Sequence, residues 1–304
     1  MQSRQIVALS VAVCALGGAA AYRFKARSAG APSHLVAYLP TTGASVIYVD
    51  VAALRQSGIL GMLEGSKTSE EPDYQQFVRE TNFDYRHDLD AVAVALKDGR
   101  TYFALRGRFH WKSLSDYAVQ NGGSCHNDFC VTPGSQLNRR ISFYLLKSDV
   151  LAMAVASDDF AAYQITANSA KVQPVAPSEP VWALIPAAAL QSTDTLPAAA
   201  KAFVPALKGA DQIVFSLDAN SAQHLQLALH VTCKDPAGAS ALVAQLETIT
   251  KELRDLVTHQ RQKPDPTDLS ALLVAGNFRH DDRQVYGTWP IPKAFVDAIA
   301  GTVY

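Results

Sequence analysis

The sequence predicts an α+β protein in which an N-terminal apolar helix precedes two tandem, similar halves. Three observations support this prediction. β-Rich runs alternate with helical patterns, tight-turn signals join β-rich runs into hairpins, and one order of elements occurs on both sides of a proline-rich segment. We expect each half to be an antiparallel sheet with helices on one face, a ferredoxin-like element order with an added strand.

The composition is that of a folded protein with a large core. Of the 304 residues, 48% are hydrophobic and 18% are charged. The formal net charge is −1, and Lys and Arg are scattered through the chain. A nucleic-acid-binding protein would show a basic face or stripe, so no nucleic-acid partner is expected.

Residues 6–22 form an uncharged, apolar stretch with basic residues on both sides. Arg4 precedes it, and Arg23, Lys25 and Arg27 follow it. This stretch is near the lower length limit for a spanning helix, so residues 1–27 are predicted to be either a membrane anchor or a signal peptide. A buried core helix is the alternative. The positive-inside rule would keep the rest of the chain in the cytoplasm. In contrast, the N-terminal position of the stretch and its alanine-rich end favour export.

Residues 28–34 form a short spacer, and the first α+β domain is expected at residues 35–170. Hairpin turns are predicted at Asp98-Gly99 and Ser148-Asp149. The predicted strands are 45–50, 91–96, 101–105, 141–146 and 150–156. The predicted helices are 51–63, 74–80, 111–120 and 158–167.

Residues 171–180 contain Pro174, Pro177 and Pro180, and we interpret this segment as an inter-domain linker. The second α+β domain, residues 181–304, repeats the order of the first. Its predicted strands are 181–185, 212–217, 223–233, 271–278 and 284–288. Its helices are expected from 187, at 236–259 and at 292–300.

Cys125 and Cys130 lie five positions apart between two glycines and a Pro-Gly pair, which indicates a loop. In an oxidising compartment they are expected to form a disulfide. A metal site that also uses His126 is the alternative, although no second cluster supplies a fourth ligand. Cys233, at a strand end, is expected to be a buried thiol.

Two histidines with acidic neighbours occur in the two halves. Arg86 precedes His87 and Asp88, and a similar run contains His280 and Asp281. A carboxylate that orients an imidazole can make it a general base. The other interpretations are solvated charge at turns and a binding site at a sheet edge.

The stretch from Leu39 to Leu54, with Leu39-Pro40, Thr41 and the run Val46-Ile47-Tyr48-Val49-Asp50, resembles a pattern in a family of bacterial envelope proteins. The resemblance covers the first third of the chain. It implies the bacterial envelope, at the extracytoplasmic face of the inner membrane or in the periplasm, with a cytoplasmic-facing anchor as the alternative. It brings no catalytic residues.

No nucleophile elbow, glycine-rich phosphate loop, zinc-protease or haem motif occurs in the sequence. We therefore predict no catalytic residue, metal or cofactor. The preferred function is a non-catalytic binding or assembly module of the envelope. Its expected partners are another envelope protein and, through residues 6–22, the membrane. The alternatives are a hydrolase-type enzyme with a site between the halves and a small-molecule or lipid carrier.

Overall fold

The computed structural model describes residues 32–64, 72–134, 138–166, 177–186, 189, 203–207, 209–221, 224–259, 267 and 269–301. The predicted N-terminal helix, residues 6–22, lies outside the described residues, as does most of the predicted linker 171–180. Within the described ranges, no helix is both long and apolar enough to cross a membrane.

In the described residues, twelve strands form one antiparallel sheet in the order β11-β12-β10-β9-β8-β1-β2-β3-β7-β6-β5-β4. The first seven strands are β1 (Ser45–Asp50), β2 (Leu89–Lys97), β3 (Arg100–Gly107), β4 (Ser124–His126), β5 (Phe129–Pro133), β6 (Arg140–Lys147) and β7 (Val150–Ala156). The last five are β8 (Val181–Pro186), β9 (Ala210–Ser221), β10 (His224–Cys233), β11 (Asn277–Asp281) and β12 (Gln284–Ile291).

Ten α-helices are described. They are α1 (Pro32–Val36), α2 (Val51–Gln56), α3 (Ile59–Glu64), α4 (Pro72–Thr81), α5 (Tyr85–Asp88), α6 (Trp111–Gln120), α7 (Val204–Leu207), α8 (Pro236–His259), α9 (Leu269–Leu273) and α10 (Lys293–Gly301). A 3₁₀ helix covers Ala161–Gln164. The predicted α+β class with a large antiparallel sheet is therefore confirmed.

The sheet is continuous across the two predicted halves. β1 pairs with β8, so that Val46 lies opposite Leu184 and Tyr48 lies opposite Trp182. Outward from this junction, the strands follow the order β1-β2-β3-β7-β6 on one side and β8-β9-β10-β12-β11 on the other. Every described strand pair is antiparallel, whereas a split βαβ unit contains parallel neighbours. The two-halves ferredoxin-like arrangement is therefore not confirmed.

Two-residue turns with positive φ angles connect the strands of two hairpins. Asp98 and Gly99, with φ angles of 50° and 70°, connect β2 to β3 as predicted. Asn127 and Asp128, with φ angles of 48° and 61°, connect β4 to β5. The neighbouring glycines and prolines predict a loop here, although residues that tolerate positive φ at both turn positions are typical of a hairpin.

Three predicted elements differ from the structure. The helix predicted at 51–63 is divided by Gly58, whose φ of 77° a helix cannot contain. The helix predicted at 158–167 is only the 3₁₀ turn Ala161–Gln164. The strand predicted at 271–278 is replaced by the end of α9 and the start of β11, because a short apolar run does not distinguish strand from helix.

The sheet has two faces. We call the face on which α8 packs the helix face, and the other one the opposite face. On the helix face, α8 buries Leu242 and Leu246 in a core cluster with Ile213, Val231 and Val285 of β9, β10 and β12. On the opposite face, α1 and the 3₁₀ helix pack over β1–β7. In the described part of the chain, no helix packs on the opposite face of β9–β12. That exposed region contains the candidate site.

Candidate functional site

Cys125 and Cys130 form the predicted disulfide. They are register partners in β4 and β5, with their Cα atoms 4.1 Å apart. Cys130 is fully buried in a cluster with Leu114 of α6 and Phe143 of β6. The bond thus links the two strands of the outermost hairpin, and the packing of Cys130 anchors this hairpin on the core beneath it.

The structure shows no metal constellation at this hairpin. His126 is exposed at the end of β4. Among the described residues, no group of three His, Cys, Asp or Glu side chains is placed to hold a metal ion. Cys233 is a buried free thiol, and its burial raises its pKa.

His87 belongs to a network centred on the carboxylate of Asp84. His87 Nδ1 lies 3.1 Å from Asp84 Oδ2, and the Tyr74 hydroxyl donates to Asp84 Oδ1 at 3.0 Å. Arg86 Nη2 lies 3.0 Å from the same carboxylate. Burial alone would raise the pKa of Asp84, but the hydrogen bonds from Arg86, Tyr74 and His87 outweigh it and lower that pKa well below its usual range. The carboxylate therefore caps α5 and fixes this loop.

Asp88 is also occupied by a structural contact. Its Oδ1 atom lies 3.0 Å from Nη2 of Arg108, and its Oδ2 atom accepts from the backbone N–H of Asp84 at 2.9 Å. His87 itself is 73% exposed. The Asp84 network explains the local charges without a substrate.

His280 and Asp281 are exposed on the edge strand β11. Neighbouring strand residues alternate between faces, so Asp281 lies on the opposite face and His280 does not. The start of β2, beside His87, is six strand positions away from β11. At a strand spacing of about 4.8 Å, this separation is about 29 Å. The structure therefore does not bring the two histidines into one site.

A concave surface lies on the opposite face of β9–β12, and we call it the open groove. Its volume is about 620 Å³. It is lined by Pro177, Ser178, Glu179, Gln212, Val214, Ser216, Ala228, Leu229, His230, Thr232, Asn277, Phe278, Arg279, Gln284, Tyr286, Gly287 and Thr288. A volume of this size is typical of small-ligand sites.

Cross-strand pairing creates a stack of three side chains in the groove. Arg279, Tyr286 and His230 are register partners on β11, β12 and β10. The imidazole of His230 is nearly parallel to the ring of Tyr286, with their centroids 4.8 Å apart. The guanidinium carbon of Arg279 lies 4.3 Å from the centroid of that ring. Since β12 lies between the other two strands, both faces of the Tyr286 ring are occupied.

A second contact fixes the side chains beside the stack. Gln284 Oε1 lies 2.7 Å from His230 Nε2 and accepts from the Thr232 hydroxyl at 3.0 Å. Gln284 and Thr232 are register partners on β12 and β10, and His230 lies two positions before Thr232 on β10. Strand geometry therefore positions these three side chains.

The lining combines apolar surface with hydrogen-bonding side chains and carries little net charge. Only Glu179 and Arg279 are charged, and they are of opposite sign. The other polar lining residues are amides, hydroxyls and one imidazole. No carboxylate is paired with a His in the groove as it would be in a general-base site. This arrangement can bind and orient a ligand through hydrogen bonds.

A shallower depression of about 350 Å³ adjoins the groove through their shared residue Gln212. It is lined by Thr41, Thr42, Val46, Leu184, Pro186, Asp211 and Gln212. The two concavities together extend across the strands from β11 to β1.

The groove residues were not predicted from the sequence. Arg279 directly precedes His280 and Asp281 in the chain, but only those two residues were predicted as candidates. A detectable signal was the alternation in β12, where Gln284, Tyr286 and Thr288 are polar or aromatic at every second position. Such alternation indicates a strand with one face directed away from the core.

Neither the family models nor the curated proteins contain a match to this chain. Two solved structures, described as crystal form III and crystal form IV of TP0453, have TM-scores of 0.48 and 0.43 against it. Their sequence identities are 9% and 8%, and both alignments cover 88% of this chain. The alignments cover 97% and 95% of the TP0453 chains. Similarity at this level carries no argument about what the protein binds or does.

Proposed function

We propose that the protein is a non-catalytic binding module of the bacterial envelope and that the open groove is its binding surface. The observation that carries this proposal is the groove itself, a concavity of about 620 Å³ on paired strands with several hydrogen-bonding side chains in its lining. Sites on paired strands hold their side chains more rigidly than sites on loops. Such a surface suits recognition of a ligand.

The chemistry of the groove favours binding over catalysis. A hydrolytic site requires a nucleophile or an activated water beside a base that a third group orients. In the groove, His230 instead contacts the amide oxygen of Gln284 and the ring of Tyr286. A carrier would enclose an apolar ligand, whereas this groove is open and presents hydrogen-bonding side chains.

The disulfide supports the proposed export from the cytoplasm. Cysteine pairs in structural positions persist in oxidising compartments, and cytosolic thiols are kept reduced. We propose that the body lies on the extracytoplasmic side, attached through residues 6–22 or released as a mature form. The expectation that the partner is another envelope protein stays a prediction.

We also propose that the two parts of the sheet are similar halves that arose by duplication. In support, each part has a single strand at the junction, a hairpin beside it and a second hairpin whose last strand is the inner one. The β4–β5 hairpin would then be an addition to the first half. In the second half, the groove occupies the face that α1 covers in the first.

A photo-crosslinking side chain introduced at Thr288 tests the binding surface. Benzophenone inserts into nearby C–H bonds, so it reports contacts with any organic ligand. We expect a covalent adduct from Thr288 in cells of the native host. The matched control is Gln226, an exposed residue on the same face of β10 that does not line the groove. Equal labelling from both positions, or none from either, would overturn the proposal.

A further inference from the structure

From the chemistry of its lining, we infer that the open groove binds a neutral glycan chain lying across the strands. This inference rests on the proposed function, because it names the ligand class of the same groove. It requires no chemical step. The ligand would be held by hydrogen bonds between its hydroxyl groups and the side chains of β9, β10, β11 and β12.

The first argument is the hydrogen-bonding character of the lining. Amide and hydroxyl side chains can both donate and accept, unlike ammonium groups and carboxylates. The groove contains seven of them: Ser178, Gln212, Ser216, Thr232, Asn277, Gln284 and Thr288. The hydroxyl groups of a sugar have the same dual character. A surface of such groups therefore complements a polyhydroxylated, uncharged ligand better than it complements an ion.

The second argument is charge. A polyanion would require several cationic side chains, as phosphate-binding surfaces show. The groove offers the guanidinium of Arg279, which is stacked on Tyr286, and it also contains the carboxylate of Glu179. The two formal charges cancel. A neutral chain, or one with few charges, meets no net repulsion here.

The third argument is shape. The groove and the adjoining depression extend from β11 to β1, which are five strand spacings apart. At about 4.8 Å for each spacing, the trough is about 24 Å long. A compact metabolite would leave most of this length empty, whereas an extended chain of several sugar rings would occupy it. The chain would cross the strands, because the polar side chains lie in rows at right angles to them.

The stack predicts how sugars are recognised in this groove. Neighbours occupy both faces of the Tyr286 ring, so a sugar ring cannot stack on it without displacing His230 or Arg279. Recognition therefore depends on the amides and hydroxyls around the stack. Gln284 is central among them because it already bridges His230 and Thr232.

Titration calorimetry with the full-length chain tests the inference. The protein is kept in a detergent without a sugar headgroup, since a sugar detergent would compete for the groove. The probes are linear hexamers of glucose and of N-acetylglucosamine, with inorganic phosphate as the anionic probe. We expect saturable binding of at least one hexamer and no binding of phosphate.

Three variants locate the binding. Gln284→Leu and Thr288→Val each remove hydrogen-bonding groups, and each should weaken hexamer binding about five- to tenfold. Gln226→Leu makes a comparable change on the same face outside the groove and should leave the affinity unchanged. Thermal unfolding of each variant checks its folding, and Thr288→Val preserves the shape of the side chain if Gln284→Leu should unfold.

The other outcomes of these experiments separate a failure of the glycan inference from a failure of the proposed binding function. Failure of both hexamers to bind, binding of phosphate alone, or equal weakening by Gln226→Leu would overturn the glycan inference. If the Thr288 photo-crosslink then captures a protein, the proposed binding function stands with a protein as its partner. If Thr288 captures nothing and neither hexamer binds, the proposed function fails together with the inference.

Discussion

One face of a single sheet has two different environments in this protein. A continuous row of register partners crosses the opposite face, and in the first part it contains Ala93, Ala104 and Ala152. In the second part the row contains Ser216, Ala228 and Thr288. The three alanines of the first part are fully buried. In contrast, Ala228 and Thr288 line the groove.

The difference follows from side-chain size and from anchoring contacts. Small alanines let the 3₁₀ helix lie close to the sheet, and Ala161 and Ala162 are buried there without any exposure. The backbone N–H of Ala162 donates to Ser142 Oγ at 3.1 Å, and the Tyr102 hydroxyl donates to Gln164 Oε1 at 2.8 Å. In the second part, Gln284 and His230 bond to each other rather than to a covering segment. Covering this face of the sheet thus requires both small side chains on the strands and polar groups that hydrogen-bond to the covering segment.

The strongest test of the comparison is the same substitution made once in each part of the row. Ala104→Leu adds volume to a buried position and should lower the free energy of unfolding by about 2–3 kcal/mol. Ala228→Leu adds the same volume beside the groove and should change it by less than about 0.5 kcal/mol. Chemical denaturation measures both values. Equal losses would contradict the distinction between a covered and an open region.

The β4–β5 hairpin is the proposed addition to the first part of the sheet. Reducing its disulfide tests how much the bond contributes to stability. Closing a loop of this length contributes about 2 kcal/mol in the chain-entropy model, and reductant should remove that contribution. Denaturation with and without reductant measures it. A double variant, Cys125→Ser with Cys130→Ser, should be insensitive to reductant. Alkylation of both cysteines in the native, unreduced protein would contradict the bond itself.

The Asp84 network should make the first part sensitive to acid. Because the pKa of Asp84 is lower in the folded state than in the unfolded state, its contribution to stability is present above about pH 4 and is lost as the pH falls further. Asp84→Asn should lower the free energy of unfolding at pH 7 by about 1–2 kcal/mol. It should also flatten the acid side of the stability profile. An unchanged profile between about pH 5 and pH 2 would show that the carboxylate is not stabilised by its neighbours.

The smallest effect is expected in the stack of the groove. Arg279→Gln removes an exposed cation from the ring of Tyr286 and should cost about 0.5 kcal/mol or less. Thermal unfolding measures the change. A loss above about 2 kcal/mol would mean that the stack holds the second part together rather than serving the groove.

The sequence predicted the elements better than it predicted their assembly. The ends of α6, β7 and α8 agree with the sequence, because apolar periodicity and turn residues are local signals. The β1–β8 pairing is not local. Its residues are separated by more than a hundred positions, and two single strands look alike whether or not they pair. The continuous sheet was missed for that reason.

The disulfide was predicted from two cysteines and their spacing, whereas the groove was not. Its polar residues come from strands more than 70 positions apart, for example Gln212 and Gln284, and each alone looks like an ordinary polar strand residue. The histidines predicted as candidates, His87 and His280, lie beside acidic residues in the chain. β-Strand alternation nevertheless separates His280 from Asp281. Proximity in sequence was a poor guide to proximity in space.

The pairing of β1 with β8 has a consequence during synthesis on the ribosome. β1 ends at Asp50, but its second neighbour begins only at Val181, so one edge of β1 has no partner while the intervening residues are made. At roughly 5–20 residues per second, this interval lasts on the order of 10 s. An unpaired apolar edge is a template for association with other chains. Nascent chains halted before Pro186 should therefore be the species that chaperones must protect.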